Sequence, residues 1–157
     1  MPEPDYVQRL IARTDLFTEV INAMTVPEVK LKYLPNSLSG KTPCAVLHAG
    51  GTQGERDETI TTAPAGVQIT VYEFRVSLLA LWSDKQADNT PIYYEDAAAD
   101  QIDCMSDELL QLVRIKKKVK GKWQNLQWFG VSVASDLIKI DGTLYLHELV
   151  LLRMTNY

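Results

Sequence analysis

Between Ile69 and Trp82 apolar and polar side chains alternate: Tyr72, Phe74, Val76, Leu78, Ala80 and Trp82 fall on one side, Glu73, Arg75 and Ser77 on the other. A period of two marks a strand with one buried face. Its second face turns apolar at Leu79 and Leu81, so the end of the strand should be covered on both sides or lie against another subunit. A polar loop then leads to an acidic stretch, about Tyr94–Arg114, in which Ala98, Ile102, Met105, Leu109 and Leu112 recur at steps of four and three, supported by Leu110 and Val113. That spacing lays an apolar stripe along a helix. A strand pair closing on Asp141-Gly142 follows, because Asp tolerates and Gly freely adopts the positive φ of a type I′ turn. Strand, helix and hairpin in this order predict an α+β domain. Its largely antiparallel sheet of about four strands carries an N-terminal helix and one long helix packed on it.

The rest of the chain fits around this frame. Val7, Leu10, Ile11, Thr14, Phe17, Val20, Ile21 and Met24 recur at helical steps, and the helix should end before Pro27, since a residue preceding proline is pushed out of the α region. From Pro27 to Gly66, prolines punctuate short apolar pieces such as Val29-Lys30-Leu31 and Cys44-Ala45-Val46-Leu47, which read as short edge strands. A mobile loop around 48–66 contains Gly50-Gly51-Thr52-Gln53-Gly54. Trp123 to Ile140 reads as one strand whose alternation slips near Ser135-Asp136, the mark of a bulge. Thr143–Met154 is apolar on both faces and belongs inside the sheet.

At 157 residues the chain suits one domain, 1–157, able to bury roughly two-thirds of its unfolded surface. No apolar run approaches the ~20 residues that a membrane-spanning helix needs. The opening Met-Pro-Glu-Pro-Asp lacks the basic flank and apolar core of a secretory signal, so folding in a cytosol is expected. Cys44 and Cys104 have no Cys-x-x-Cys spacing and are expected as reduced, partly buried thiols.

The two histidines, His48 and His147, are the candidates for base chemistry. Nucleophilic catalysis needs a Ser, Thr or Cys within hydrogen-bond reach of a base, and Cys44 stands four positions from His48 in an extended segment. His147 falls within a central strand, on a sheet face or at an interface. Two distant histidines and two distant cysteines do not form a zinc set, and acids along a helix exterior read as a solvated face before a Ca²⁺ site. The Gly50–Gly54 run lacks the Lys and the following helix of a phosphate loop. No catalytic, cofactor-binding or metal-binding residue is assigned, and no cofactor is expected.

Charge is the more informative property. The net charge of −4 argues against general affinity for duplex DNA. Yet Glu95, Asp96, Asp100, Asp103, Asp107 and Glu108 crowd the helix, and Arg114, Lys116, Lys117, Lys118, Lys120 and Lys122 follow directly. Glu95, Asp96, Asp100, Asp103, Lys116, Lys117, Lys118, Lys120 and Trp123 are the candidate subunit or partner interface. For Trp123 and Trp128 three readings stand side by side: core tryptophans of a strand, a docking patch, or a basic-aromatic nucleic-acid surface.

The succession of an N-terminal helix, Leu34-Pro35, Pro43-Cys44-Ala45-Val46-Leu47, a Gly-rich segment, the strand Tyr72-Glu73-Phe74-Arg75-Val76-Ser77-Leu78, one long helix and a C-terminal hairpin resembles the tail terminator, or tail completion, proteins of long-tailed bacteriophages. It is similar, more loosely, to the neighbouring head–tail joining proteins. The resemblance implies a non-enzymatic virion protein at the head-proximal end of the tail, assembled in the host cytoplasm. It implies a homo-oligomer, a hexameric ring on the tail tube protein, that stops tail polymerisation and offers a surface to head connector and neck proteins. DNA would pass through the ring without sequence-specific binding, and no membrane is involved. The alternatives are a neck adaptor and a small-ligand enzyme with a site near His48. Exchange of Lys116, Lys117 and Lys118 for Glu is expected to spare folding and weaken assembly.

Overall fold

A computed structural model describes residues 5–32, 38, 42–48, 58–60, 69–85 and 91–156. Helix α1 spans Asp5–Glu19 and is followed by a 3₁₀ turn, Ile21–Ala23. The strands are β1 (Val29–Leu31), β2 (Cys44–Leu47), β3 (Glu58–Ile60), β4 (Ile69–Lys85) and β5 (Pro91–Tyr93). Helix α2 (Glu95–Ile115) precedes the closing hairpin β6 (Asn125–Ile140) and β7 (Thr143–Asn156).

The expectation of about four strands is corrected. Among the described residues the sheet has seven, in the order β1-β2-β4-β7-β6 with β3 and β5 also on β4, and it is mixed because β1 and β2 run parallel. The physical reason is the length of β4. Its 17 residues outrun β2, so three-residue pieces too short to show any alternation can still pair with its remaining backbone at either end. β2 is likewise no edge strand. It lies between β1 and β4 with all four residues buried.

Both helices cover one face. Tyr72, Phe74, Val76, Leu78 and Ala80 of β4 and Leu146, Val150, Leu152 and Met154 of β7 share a core with Ala98, Ile102, Met105, Leu109 and Val113 of α2 and with Leu16, Val20, Ile21 and Met24. At the end of the α2 stripe Val113 is buried and Leu112 is half-buried against the same core, since at about 100° per residue the two flank the stripe's centre almost equally. In α1 the buried face runs through Ala12 and Leu16, which leaves the predicted core residues Leu10 and Ile11 exposed. A smaller core sits on the opposite face, where Leu79 and Tyr145 pack with Leu38, Cys44, Val46 and Ile140. The second apolar face at the end of β4 is therefore covered within the chain.

The hairpin turns on Asp141 and Gly142 at φ 49° and 80°, the conformation that the dipeptide favours. The register of β6 slips between Val133 and Asp136, and also between Trp128 and Gly130 and between Val131 and Val133. Gly130 takes φ 152° at the first slip, a backbone region that glycine alone enters freely. Trp123 lies before β6, in the turn that joins it to α2.

Candidate functional site

Two regions gather the chemistry of the chain. The first is α2 and the turn after it. Glu95 and Asp96 occupy the first turn, where the helix dipole favours negative charge, and Arg114 occupies the last, where it favours positive charge. Glu95, Asp96, Asp100, Asp103 and Asp107 are all exposed, as are Arg114, Lys117, Lys118 and Lys120. The segregated charge is therefore present at the surface as an acidic N-terminal pole and a basic C-terminal pole. Glu108 is spent elsewhere: its carboxylate accepts from the backbone N–H and hydroxyl of Thr25 at 2.7 and 2.5 Å and from the Val26 N–H at 3.0 Å, tying α2 to the segment after α1.

Two interface candidates have internal roles. Trp123 is 1% exposed, and its indole N–H donates to the Lys116 carbonyl at 2.8 Å. It is a core residue that closes the basic turn, because a ring of that size placed between α2 and the sheet is worth more buried than displayed. Lys116 and Lys122 reach back to the Glu19 carboxylate at 3.4 and 2.6 Å. The Lys122 hydrogen bond, against opposing desolvation, leads in holding the Glu19 carboxyl below its ordinary range. Sequence alone could not pair Glu19 with lysines about a hundred positions away.

The expected behaviour of the lysines changes accordingly. Exchanging Lys117, Lys118 and Lys120 for Glu should cost little thermal stability, about 0.5 kcal/mol or less at each position as for surface positions generally. Exchanging Lys116 and Lys122 for Glu should lower the melting temperature, since it sets two acids against Glu19. Thermal melts of the two variants side by side check this, and equal melts would remove the Glu19 contacts from the account.

The second region lies on the other face of the sheet. His48 follows β2, and its backbone N–H donates to the Arg75 carbonyl at 3.0 Å, which brings its ring to Ser77. The Nε2 atoms of His48 and His147 stand 2.5 and 2.8 Å from the Ser77 hydroxyl. Ser77 is 3% exposed. Burial depresses both imidazoles, with His147 and Arg75 adding to the effect at His48 and Asp136 opposing it at His147. His147 Nδ1 is buried with no partner among the described residues. An N–H there would be an unsatisfied donor, so the proton belongs on Nε2, which donates to Ser77; Ser77 then donates to Nε2 of His48.

Nearby on the same face the Arg153 guanidinium lies 3.4 Å from the Glu73 carboxylate and 3.9 Å over the exposed ring of Phe129. Cys44 belongs to the smaller core, its thiol pushed up to about 12 by burial, and it is not brought to His48. Cys104, expected partly buried, is exposed on α2. A disulfide-exchange reagent at pH 8 should therefore titrate one thiol quickly and the second only on unfolding. Two fast thiols would contradict the placement of Cys44.

Gly50–Gly54, Leu34-Pro35 and most of the 48–66 segment lie outside the described residues; Glu58–Ile60 within it forms β3. Among the described residues no group of three metal-ligating side chains converges. The chain matches no protein-family model and no curated protein.

Proposed function

We propose that this chain is a virion structural protein of the tail terminator kind, closing as a six-fold ring on the end of a phage tail tube and offering its other side to the head connector. The observation that carries this reading is the exposed charge dipole of α2. Glu95, Asp96 and Asp100 stand exposed at the start of α2, and Arg114, Lys117, Lys118 and Lys120 stand exposed at and just beyond its end, with no ion pair between the two sets among the described residues. A closed ring needs contacts between two different patches of one subunit, and opposite charge on those patches sets register and speeds encounter. The order of elements, which resembles that of tail terminators, supports the same reading. Among the described residues no helix is long and apolar enough to cross a membrane.

The test is direct imaging of the purified protein, alone at high concentration and mixed with isolated tail tubes. Closed rings with a central opening, seated on tube ends, are expected. Compact monomers that bind no tube end would remove the proposal. Binding to the head connector in place of the tube would turn it into the neck-adaptor reading.

One observation favours a second reading, an enzyme using Ser77 between His48 and His147. A serine hydrolase needs donors aimed at the developing oxyanion. The backbone around Ser77, however, is committed to ladders with β2 on one side and β7 on the other, and the hydroxyl is buried. An activity-based fluorophosphonate that labels the folded protein at Ser77 would raise this reading above the first.

A further inference from the structure

The register of the sheet fixes where the ends of α2 lie. Ser83 of β4 pairs with Tyr93 of β5 and with Leu144 of β7, so β5 and β7 flank β4 on opposite sides. The start of α2, directly after β5, is therefore on the β2 side of β4, and the Tyr94 N–H donates to the Trp82 carbonyl at 2.8 Å to hold it there. The helix crosses the sheet and ends against β6, the far edge strand.

What stands at the two ends is unlike and complementary. At the β5 end, Tyr93 is 59% and Tyr94 38% exposed, followed directly by exposed Glu95 and Asp96. Together with Ala97 these side chains border an open recess of about 460 Å³, and the exposed aromatic and acidic groups at its rim are the knob of this end. At the β6 end, a cleft of about 450 Å³ opens between α2 and β6, with Leu110, Leu126 and Trp128 in its wall and Arg114, Lys117 and Gln127 among its polar lining. That volume is in the range that admits an aromatic ring, and tyrosine, tryptophan and arginine are the side chains that dominate interface energetics.

We propose that the knob at Tyr93–Asp96 of one copy docks in the cleft between α2 and β6 of the next copy. A copy cannot fill its own cleft, because 21 helical residues hold knob and cleft roughly 30 Å apart. The two patches lie on opposite lateral sides of one sheet, so each copy passes the contact on to the next in one direction. Such a heterologous contact closes a ring when its rotation divides a full turn and grows a filament when it does not. The inference rests on the ring reading above and names the surface through which the ring would close.

Two charge-reversed proteins test it. The knob variant carries Glu95→Lys with Asp96→Lys, and the cleft variant carries Arg114→Glu with Lys117→Glu. Each alone should self-associate roughly ten-fold or more weakly than the wild type, because like charges face each other across the contact. Mixed in equal amounts, they should co-assemble in alternation, since the intact knob meets the intact cleft and the reversed knob meets the reversed cleft, each across opposite charge. The protein carrying all four reversals should assemble again, which also shows that the variants fold. Tyr93→Ala with Tyr94→Ala should weaken assembly without any change of charge.

Wild-type assembly that either charge variant reproduces unchanged would overturn this inference and leave the ring reading standing. Failure of the mixture to co-assemble, where each variant alone does not assemble, would do the same. A cleft variant that loses tube ends while its self-association is untouched would assign the cleft to the tube protein and overturn the copy-to-copy contact. A wild type that stays monomeric at every concentration and on tubes would remove both.

Discussion

Trp123→Ala is expected to lower the free energy of unfolding by about 3–5 kcal/mol, the range for truncating a large buried aromatic. Against a total of roughly 5–15 kcal/mol for a domain of ordinary size, that is the most damaging single exchange the structure suggests. The ring is 1% exposed and belongs to the main core, so its removal leaves a cavity between α2 and the start of β6. The indole N–H also satisfies the Lys116 carbonyl, and Trp123 and Val119 form the short bridge that closes the basic turn. Loss of the ring should therefore loosen the segment that displays Lys117, Lys118 and Lys120. Trp123→Phe restores most of the volume but not the donor, and should cost about 1–3 kcal/mol, as for a buried carbonyl left unpaired. Urea denaturation followed by far-ultraviolet circular dichroism separates the two, since fluorescence would lose one of its own reporters. A Trp123→Ala protein as stable as the wild type would place the ring outside the core.

Much of this frame is legible in the sequence, and the reasons are local. The alternation along β4, the stripe of α2 and the Asp141-Gly142 turn each follow from a repeat or a dipeptide conformation that needs no distant partner. β1, β3 and β5 are different. Three residues cannot show a period, and whether they pair depends on how far β4 extends beside them. Nothing in Val29–Leu31 and Cys44–Leu47 encodes that they run parallel. The helical spacing in α1 marks Leu10 and Ile11 as apolar but cannot say which part of a wide apolar arc meets the sheet.

The candidate site divides in the same way. Most of the acids and lysines stay exposed because solvation favours it, so composition locates them, whereas Glu108, Lys116 and Lys122 are taken up by distant partners that composition does not reveal. Trp123 is misplaced as an interface residue because a tryptophan beside lysines reads alike whether it points in or out. The meeting of His48, Ser77 and His147 is encoded only by strand register. Its one local trace is Ser77 itself, a polar residue within the apolar run Val76–Ala80.

That meeting makes the protein sensitive to acid. Well above pH 6.5 both imidazoles are neutral, and one hydroxyl proton satisfies the chain from His147 through Ser77 to His48. A proton added to His48 turns its Nε2 into a donor, so both rings donate to the Ser77 oxygen and the hydroxyl proton loses its acceptor. A proton added to His147 falls on Nδ1, which is buried without a partner among the described residues. Two charged rings sharing one oxygen would repel by at most about 3 kcal/mol at ~5 Å and an effective dielectric of ~20, and solvent at the partly open edge reduces this.

Both folded pKa values lie below the unfolded one, so the unfolded chain takes up these protons first. The histidine contribution should be constant well above pH 6.5 and fall as the pH drops through that value, until the folded pKa values are passed. Glu148 acts oppositely in part of this window. Burial raises its carboxyl, against the hydrogen bond from Ser106, so its protonation returns stability as the pH falls toward the ordinary carboxylate value. The histidine effect is therefore read as a difference between proteins that share Glu148. His48→Gln should lose stability less steeply than the wild type between pH 7.5 and 5 in urea titrations, because one of the two sites is gone. Ser77→Ala should cost about 1–3 kcal/mol at pH 7.5, as for buried groups left unpaired. It should also flatten the acid limb, since protonating His48 no longer orphans a hydroxyl. Parallel stability profiles for all three proteins would mean that the rings titrate independently of Ser77, and the proton chain drawn here would not exist.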